Sequence, residues 1–228
     1  MLIYYRGISE YKTGKTADAE KSFNQVIKLN PKDSLSLFYL AQISLAKNDL
    51  DGAIANLNRA TVNDARLTGA WTLLTSAYLR RAATSTDPAK ADADYISAVR
   101  AGEGLIKLRT DAEAVTLFGQ ALIGSKQYQR AAGVLERATT APDATGVTFY
   151  LLGVAHSRAQ NFPKAIAALE SAAKKSPDDV NVYRELGYAY EVTKNYTKAL
   201  AAYQKGSSLA PSDPDLKESI ERVKPFAK

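Results

Sequence analysis

The sequence predicts an all-α fold in which pairs of short antiparallel helices stack as an α-solenoid. The segment 186–211 reads as two helices, with a Leu-Gly pair on the first, a polar turn between them and a proline after the second. The same arrangement stands in 152–177, so that Gly153 and Gly187 are 34 residues apart. A period of this length is typical of repeat architectures, in which each helix pair buries its apolar face against the next.

Composition places the chain among soluble folded proteins and excludes several chemistries. Of 228 residues, 46% are hydrophobic and 24% are charged, which is ordinary for globular domains. No apolar run reaches the roughly 18 residues of a membrane span. The chain has no cysteine, which excludes disulfides and thiolate chemistry. The net charge of +6 favours acidic partners, but Lys and Arg are scattered, with only Arg80-Arg81 and Lys174-Lys175 adjacent, which argues against nucleic acid.

The repeat pattern predicts six helix pairs in one domain covering residues 1–228. The expected repeats are 1–33, 34–67, 68–111, 112–145, 146–178 and 179–212, followed by a capping helix at 213–224. In the first repeat, Ala19, Phe23 and Val26 fall on one helical face. Asn30-Pro31 then ends the helix, because proline cannot continue it.

The third repeat departs from the period by a ten-residue surplus near 80–92. Asp87 followed by Pro88 is typical of a helix N-cap with proline at the first helical position. We therefore expect the second helix to run from Pro88 to about Leu108, and this pair to protrude beyond its neighbours. The surplus is either a tolerated surface insertion or part of a binding surface.

The two ends of the chain differ. Leu216, Ile220 and Val223 form an apolar stripe on an otherwise polar last helix, as the end of a solenoid requires. The first helix, which carries Ile3 and Tyr4, has no such cap. We expect this end either to self-associate, giving a homo-oligomer, or to continue in a longer protein. The N-terminus has no signal-peptide pattern, and the lack of cysteine fits an exported bacterial protein if a leader was removed, and a cytoplasmic one otherwise.

The repeated units resemble tetratricopeptide repeats. The matching positions are Tyr183, Leu186, Gly187, Tyr190, Tyr196, Ala199, Tyr203 and Pro211 in one unit, and Phe149, Leu152, Gly153, Phe162, Ala165, Leu169 and Pro177 in the other. Trp71 stands where the family has a first-helix tryptophan. The departures are the surplus in the third repeat, His156 in place of tyrosine, and Ala65 and Thr110 where a closing proline is usual.

The resemblance implies a right-handed superhelix whose first helices line a concave groove for a segment of a partner protein. The family's inward-facing positions correspond to Tyr4, Ile8, Tyr11, Lys12, Leu35, Phe38, Gln42, Thr72, Ser76, Leu79, Arg80, Thr116, Gln120, Ile123, Tyr150, Val154, Arg158, Arg184, Tyr188 and Glu191. The Lys and Asn residues with which some members hold a carboxylate terminus are absent. Tyrosine and arginine are frequent hot-spot residues, so we expect a partner peptide with apolar anchors and some acidic residues.

Residues for catalysis, cofactors or metal binding do not converge in the sequence. His156 is the only histidine, and its place on a first helix indicates a core position rather than a catalytic base. Asp92 and Asp94 lie two apart on a predicted helix and face different ways. Gly102-Glu103-Gly104 lacks the Gly-Lys-Ser/Thr ending of a phosphate loop. We therefore expect a non-enzymatic scaffold or adaptor without a cofactor; the alternatives are a self-associating structural solenoid and a binding domain of a larger protein.

Overall fold

The computed structural model describes residues 1–227, and the regular structure there is helical. The helices are α1 (Leu2–Lys12), α2 (Thr16–Leu29), α3 (Ser34–Ala46), α4 (Leu50–Asn63), α5 (Thr68–Thr84), α6 (Pro88–Ile106), α7 (Ala112–Gly124), α8 (Tyr128–Ala138), α9 (Gly146–Arg158), α10 (Phe162–Lys175), α11 (Val180–Val192), α12 (Tyr196–Leu209) and α13 (Pro214–Val223). A 3₁₀ turn at Lys224–Phe226 follows. The predicted all-α fold of six helix pairs and a capping helix is confirmed.

The helices form two compact units, which we call unit 1 (Met1–Thr110) and unit 2 (from Asp111 onward). Unit 1 contains the pairs α1–α2, α3–α4 and α5–α6, and unit 2 contains α7–α8, α9–α10, α11–α12 and then α13. Within each unit the two helices of a pair pack against each other, and successive pairs pack through contacts such as those of α2 with α3, α4 with α5, α8 with α9 and α10 with α11. Each unit is therefore a stretch of α-solenoid; a single domain over the whole chain stays a prediction.

A left-handed residue closes five of the six helix pairs. Gly14, Asn48, Lys126, Gln160 and Lys194 have φ between 60° and 76°. The amide that follows each of them donates to the carbonyl five residues earlier, as from Asn195 to Tyr190 at 2.8 Å. This arrangement satisfies the last carbonyls of the first helix and reverses the chain within three residues.

A small residue on each first helix lets the second helix approach closely. A Cβ atom on Gly153 would stand 2.5 Å from Cγ of Leu169, and one on Gly187 would stand 2.5 Å from the Tyr203 ring. In both pairs the large residue follows 16 positions after the glycine, and it is almost completely buried. The tetratricopeptide pattern of small and large residues thus sets the distance between paired helices.

The third pair is longer than the others. Helix α5 has 17 residues and α6 has 19, whereas the other paired helices have 11 to 14. The Asp87 carboxylate accepts from the amide of Ala89 at 2.9 Å, which confirms the predicted N-cap. Helix α6 ends at Ile106 instead of Leu108. The surplus therefore lengthens both helices by about one turn, or ~6 Å.

A buried ion pair holds the two long helices together. The Arg81 guanidinium donates to both carboxylate oxygens of Asp94 at 2.8 and 2.6 Å, and the Asp94 side chain is only 9% exposed. Arg81 also reaches Asp51 of α4 at 2.6 Å. Near the other end, Gly104 lies against the Trp71 ring, so the predicted Gly-Glu-Gly stretch serves close helix packing.

Candidate binding surface on the first helices

The predicted site residues all lie on first helices or directly beside them. In unit 1 they come from α1, α3 and α5, and in unit 2 from α7, α9 and α11. Side chains on one helical face recur every three or four residues, and equivalent positions of successive repeats bring these faces side by side. Each unit therefore has its own candidate surface, and we describe the two in turn.

The unit 1 surface is largely aromatic, and most of its rings pack against one another. Tyr4 makes an edge contact with Phe23, with ring centroids 6.1 Å apart. Tyr11 and Phe38 both make edge contacts with Tyr39, at 5.3 and 6.0 Å. These side chains are half-buried together with Ile8. Packing between helices therefore uses much of the aromatic area that the sequence assigned to the groove.

Hydrogen bonds that involve no carboxylate join the first helices of unit 1. The Tyr11 hydroxyl donates to the Gln42 side-chain carbonyl at 3.2 Å, which links α1 to α3. Arg80 donates to the Asn48 side chain at 2.5 Å, at the turn after α3. The remaining predicted residues are the exposed Lys12 and Leu35 and the half-buried Thr72 and Ser76.

Ion pairs take the place of these hydrogen bonds in unit 2. Both terminal nitrogens of Arg158 donate to the Glu185 carboxylate, at 2.8 and 3.2 Å, which links α9 to α11. Arg184 donates to Asn181 at 2.7 Å and to Asp213, the N-cap residue of α13, at 2.5 Å. Hydrogen bonds from the α13 backbone and from Arg184 hold the pKa of the Asp213 carboxyl below its usual range.

The third link is a half-exposed network around Glu191. Arg222 of α13 donates to both oxygens of this carboxylate, at 2.7 and 3.1 Å. The Tyr203 hydroxyl donates to it at 2.7 Å. Arg222, and then Tyr203, lower the pKa of Glu191, whereas burial and the carboxylate raise the pKa of Tyr203. The network ties α11, α12 and α13 together.

These ion pairs surround a pocket of about 460 Å³ in unit 2. Its lining includes the predicted residues Arg158, Arg184 and Tyr188, but also Glu185 and Arg222. Sequence reasoning missed Arg222, because α13 was treated only as a cap. Its spacing of 31 residues from Glu191, close to one repeat, is the signal that could have indicated the contact.

Tyr188 is the most accessible aromatic residue among the predicted ones in unit 2. Its side chain is 42% exposed, and its ring makes an edge contact with Phe162 at 6.3 Å. Tyr188 also lines a second pocket, of about 480 Å³, together with Val192, Tyr196 and Phe226 among others. Tyr188 therefore lines two pockets, one with several charged residues and one with more apolar residues.

The N-terminal part of the unit 2 surface is less charged. Thr116 and Thr148 share a hydrogen bond of 3.0 Å between α7 and α9, and Gln120 is exposed beside them. Ile123 is half-buried, as is Tyr150. Burial, with a contribution from the nearby Glu185, raises the pKa of Tyr150.

Two predicted groove residues are almost completely buried. Leu79 is 6% exposed and Val154 is 8% exposed. Their apolar side chains pack between helices, where burial stabilises the fold. They offer little surface to a partner, which differs from the expectation.

His156 occupies a core position, as expected. It is 6% exposed, and Nε2 lies 3.3 Å from the Glu136 carboxylate, which also accepts from Lys164 at 3.0 Å. Burial lowers the pKa of His156, although Glu136 opposes that effect. Across residues 1–227 no three His, Asp or Glu side chains converge in a way that could hold a metal ion. None of the helices described is both long and apolar enough to cross a bilayer.

Several solved structures of low sequence identity share the fold. One is YrrB, described as a tetratricopeptide repeat protein with an unusual peptide-binding site, with 19% identity, a TM-score of 0.65, and coverage of 89% of this chain and 97% of that one. MamA from Desulfovibrio magneticus RS-1 has 23% identity, a TM-score of 0.66, and coverage of 80% and 98%. The C-terminal part of a tetratricopeptide repeat-containing protein from Cytophaga hutchinsonii has 17% identity, a TM-score of 0.68, and coverage of 96% and 86%.

The sequence itself points to the same family. No curated protein matches the chain in sequence. A family model for the tetratricopeptide repeat matches residues 4–66 and 150–214, which together make up more than half of the chain. The matched segments contain the glycine, left-handed-turn and tyrosine positions described above. The chain belongs to the tetratricopeptide repeat family.

Proposed function

We propose that the protein is a non-enzymatic scaffold that binds a segment of a partner protein on the first helices of unit 2. Family membership supports a role in protein–protein interaction in general. The observation that carries the finer proposal is the exposed Tyr188 ring, which lines two pockets of about 460 and 480 Å³. A large, rigid aromatic side chain beside desolvated pockets is typical of a binding hot spot.

The internal ion pairs decide which partner chemistry fits this surface. Arg158, Arg184 and Arg222 are each paired with a carboxylate of the same chain. An acidic residue of the bound protein therefore has to share the arginine with the carboxylate of this chain or displace that carboxylate. This competition reduces the binding free energy that the acidic residue contributes. We propose that apolar or aromatic anchors beside Tyr188 supply most of the affinity, and that acidic partner residues adjust specificity.

Selection of peptides from a random displayed library tests this proposal. Peptides selected on the wild-type protein should be rich in apolar anchors and should bind Tyr188→Ala at least tenfold more weakly, because the ring loses its contact area. Fluorescence anisotropy gives the dissociation constants. Tyr188→Phe, which keeps the ring, should retain most of the affinity.

A matched control distinguishes binding at this surface from nonspecific hydrophobic binding. Val62 on α4 is an exposed apolar residue in unit 1, and Val62→Ala should leave the affinity of the selected peptides unchanged. The proposal is wrong if the library yields no binder, or if the selected peptides bind Tyr188→Ala as tightly as wild type.

Self-association through the end of α1 is the second candidate function. Met1, Leu2, Tyr5 and Leu29 are exposed apolar residues in this region, and a contiguous apolar patch is typical of an interaction site. Light scattering should then give a dimer mass for the wild type and a monomer mass for Leu29→Glu. Val62→Glu is the matched control, and a wild-type monomer at high concentration contradicts this candidate.

A further inference from the structure

Basic residues concentrate on the second helices of unit 2. Helices α8, α10 and α12 together contain seven Lys or Arg and two Glu, a net charge of +5. The second helices of unit 1, α2, α4 and α6, contain five basic and six acidic residues, a net charge of −1. The sequence expectation of scattered basic residues therefore does not hold for unit 2.

The basic residues follow the repeat period. Arg130, Lys164 and Lys198 are spaced 34 residues apart, and each directly precedes a buried alanine, so they occupy one position on α8, α10 and α12. Seven residues further along, Arg137 and Lys205 occupy a second shared position. All five are exposed. They form two basic rows, of which the first runs across all three helices and the second has members on α8 and α12.

A floor of small residues separates the rows. Gly133, Ala167 and Ala201 lie three positions after the first row, again 34 residues apart, and all three are exposed. Nothing stands within 4 Å of the place where a Cβ atom on Gly133 would be. The two rows and this floor define a feature that we call the basic trough.

The dimensions of the trough match an α-helix. Seven residues along a helix span about 10.5 Å, so the two rows stand about one helix diameter apart. Helices α8, α10 and α12 pack mainly against the first helices α7, α9 and α11 and not against one another, so successive second helices are spaced more widely than the roughly 8–10 Å of directly packed helices. Lys164 on α10 reaches Glu136 on α8 at 3.0 Å, so long side chains connect these two second helices.

Most of the charge in the trough is available to a partner. Lys198 lies over the Tyr190 ring and Lys205 over the Tyr183 ring, with the ammonium 5.3 and 5.9 Å from the ring centroids. Within residues 1–227 neither lysine pairs with a carboxylate. Rings hold these side chains in place without neutralising them.

Of the two acidic residues on these helices, one pairs with a residue of the trough and the other binds elsewhere. Glu136 contacts His156 and Lys164, and Glu170 accepts a hydrogen bond from the Tyr190 hydroxyl. Lys164 therefore shares its charge with Glu136, whereas Arg137, Lys198 and Lys205 keep theirs. The charge on the trough is positive on both rows.

We propose that the basic trough is a second docking site, and that its occupant is an acidic amphipathic helix of a partner protein. An approaching helix packs its backbone close to the Gly and Ala floor, and its acidic side chains reach the basic rows on either side. The site differs from the first-helix surface, where each arginine already has a carboxylate partner. The two surfaces let one chain hold two partner segments.

Two other polyanions fit the observations less well. Among the exposed large apolar residues of the described chain, none lies on α8, α10 or α12, so these helices have no side chain to insert into a membrane. The same helices offer no exposed aromatic ring on which bases could stack. A floor of small residues has a clear use only when a helix approaches closely.

Fluorescence anisotropy with a labelled helix-forming peptide of Ala and Glu tests the proposal. A peptide of about 18 residues forms a helix of about 27 Å, and an Ala and Gln peptide of the same length is the uncharged control. The acidic peptide should bind at low salt. Lys198→Glu/Lys205→Glu should weaken binding at least tenfold, because two attractive contacts become repulsive.

A steric variant separates a docked helix from diffuse attraction. Ala167→Trp fills the floor without changing the charge, and it should weaken binding at least tenfold. Ala55→Trp, at the equivalent exposed position of α4 in unit 1, is its control. Lys174→Glu/Lys217→Glu matches the charge change outside the rows, and Tyr188→Ala tests independence from the first-helix surface. All three controls should bind the acidic peptide within about twofold of wild type.

Three results would overturn the proposal. One is failure of the acidic peptide to bind wild type. Another is equal loss in Lys174→Glu/Lys217→Glu, which would indicate general electrostatic attraction. The last is binding of the acidic peptide to Ala167→Trp at wild-type affinity. In that case, tighter binding of phosphatidylserine vesicles or duplex DNA than of the peptide would identify a membrane or a nucleic acid as the occupant. Circular dichroism confirms that each variant is folded.

Discussion

The two units have the same helical skeleton but different surfaces. In unit 1 the first helices are joined by neutral contacts such as that of Tyr11 with Gln42, and aromatic rings pack among themselves. In unit 2 the equivalent helices are joined by ion pairs such as that of Arg158 with Glu185. The second helices differ as well, with a net charge of −1 in unit 1 and +5 in unit 2.

This difference shows that the repeat pattern determines how the helices pack, whereas the residues at solvent-exposed positions can vary. The positions that recur are the small residue, its large partner and the left-handed turn, because these set how closely two helices approach. The positions between them face solvent, where substitutions cost little stability. One repeated skeleton can therefore carry an aromatic surface in one unit and a charged surface in the other.

The largest effect that we expect is on the long pair of unit 1. Asp94→Ala leaves the guanidinium of Arg81 half-buried with only Asp51 as a partner, and should lower the free energy of unfolding by about 3 kcal/mol. Urea denaturation measures the change. Asp92→Ala, on the same helix but exposed, should cost less than ~1 kcal/mol, and an equal loss in both variants would contradict the role of the buried pair.

We expect a smaller loss of stability when a methyl group is added at the close helix contacts, and this change can be compared between the two units. Gly153→Ala places a Cβ atom 2.5 Å from Cγ of Leu169, near the branch point of a buried side chain, and should cost about 2 kcal/mol. In Gly7→Ala the new Cβ atom would meet only the edge of the Phe23 ring, at 2.9 Å, so the loss in free energy of unfolding should be smaller. Thermal denaturation of both variants tests the order.

Gly133→Ala is the control for these glycine variants, because open space surrounds it. Alanine has a higher helix propensity than glycine, so this change should stabilise the protein by ~1 kcal/mol. If Gly133→Ala and Gly153→Ala are equally destabilising, steric contact with the second helix is not the cause.

The links between first helices should respond differently to salt. Glu191→Gln removes the charge that Arg222 contacts at 2.7 Å and should cost about 1–2 kcal/mol at low salt, and less at 1 M salt because exposed charges are screened. Gln42→Ala in unit 1 removes the acceptor for Tyr11 and should cost about 1 kcal/mol at both salt concentrations. Parallel urea titrations distinguish the two, and equal salt dependence would remove the contrast between the units.

The smallest effect concerns pH and unit 2 alone. Burial lowers the pKa of His156 below its usual 6.5, so the folded protein binds fewer protons there than the unfolded chain. Its contribution to stability is present above pH 6.5 and is lost as the pH falls toward the folded pKa. The melting temperature should therefore fall between pH 7 and pH 5.5, and less so in His156→Gln. An unchanged slope in the variant would assign the pH dependence to other groups.

Much of the fold could be predicted because its signals are local and repeated. The phased glycines, the Asp87-Pro88 start of α6 and the apolar stripe of α13 each depend on residues close together in sequence. The candidate site could be predicted only in part. Leu79 and Val154 match the inward positions of the family, yet neighbouring helices cover them, and no single-helix pattern reports that coverage.

The sequence by itself determined the helix pairs, their number and their turns, because helix periodicity and capping act over a few residues and recur with the repeat. Only the tertiary structure decided which surface residues are already paired. Arg222 contacts Glu191 across 31 positions, and the rows of the basic trough join residues 34 apart. Such contacts depend on the distance between stacked helices, so charge that looks scattered along the chain becomes concentrated on one face.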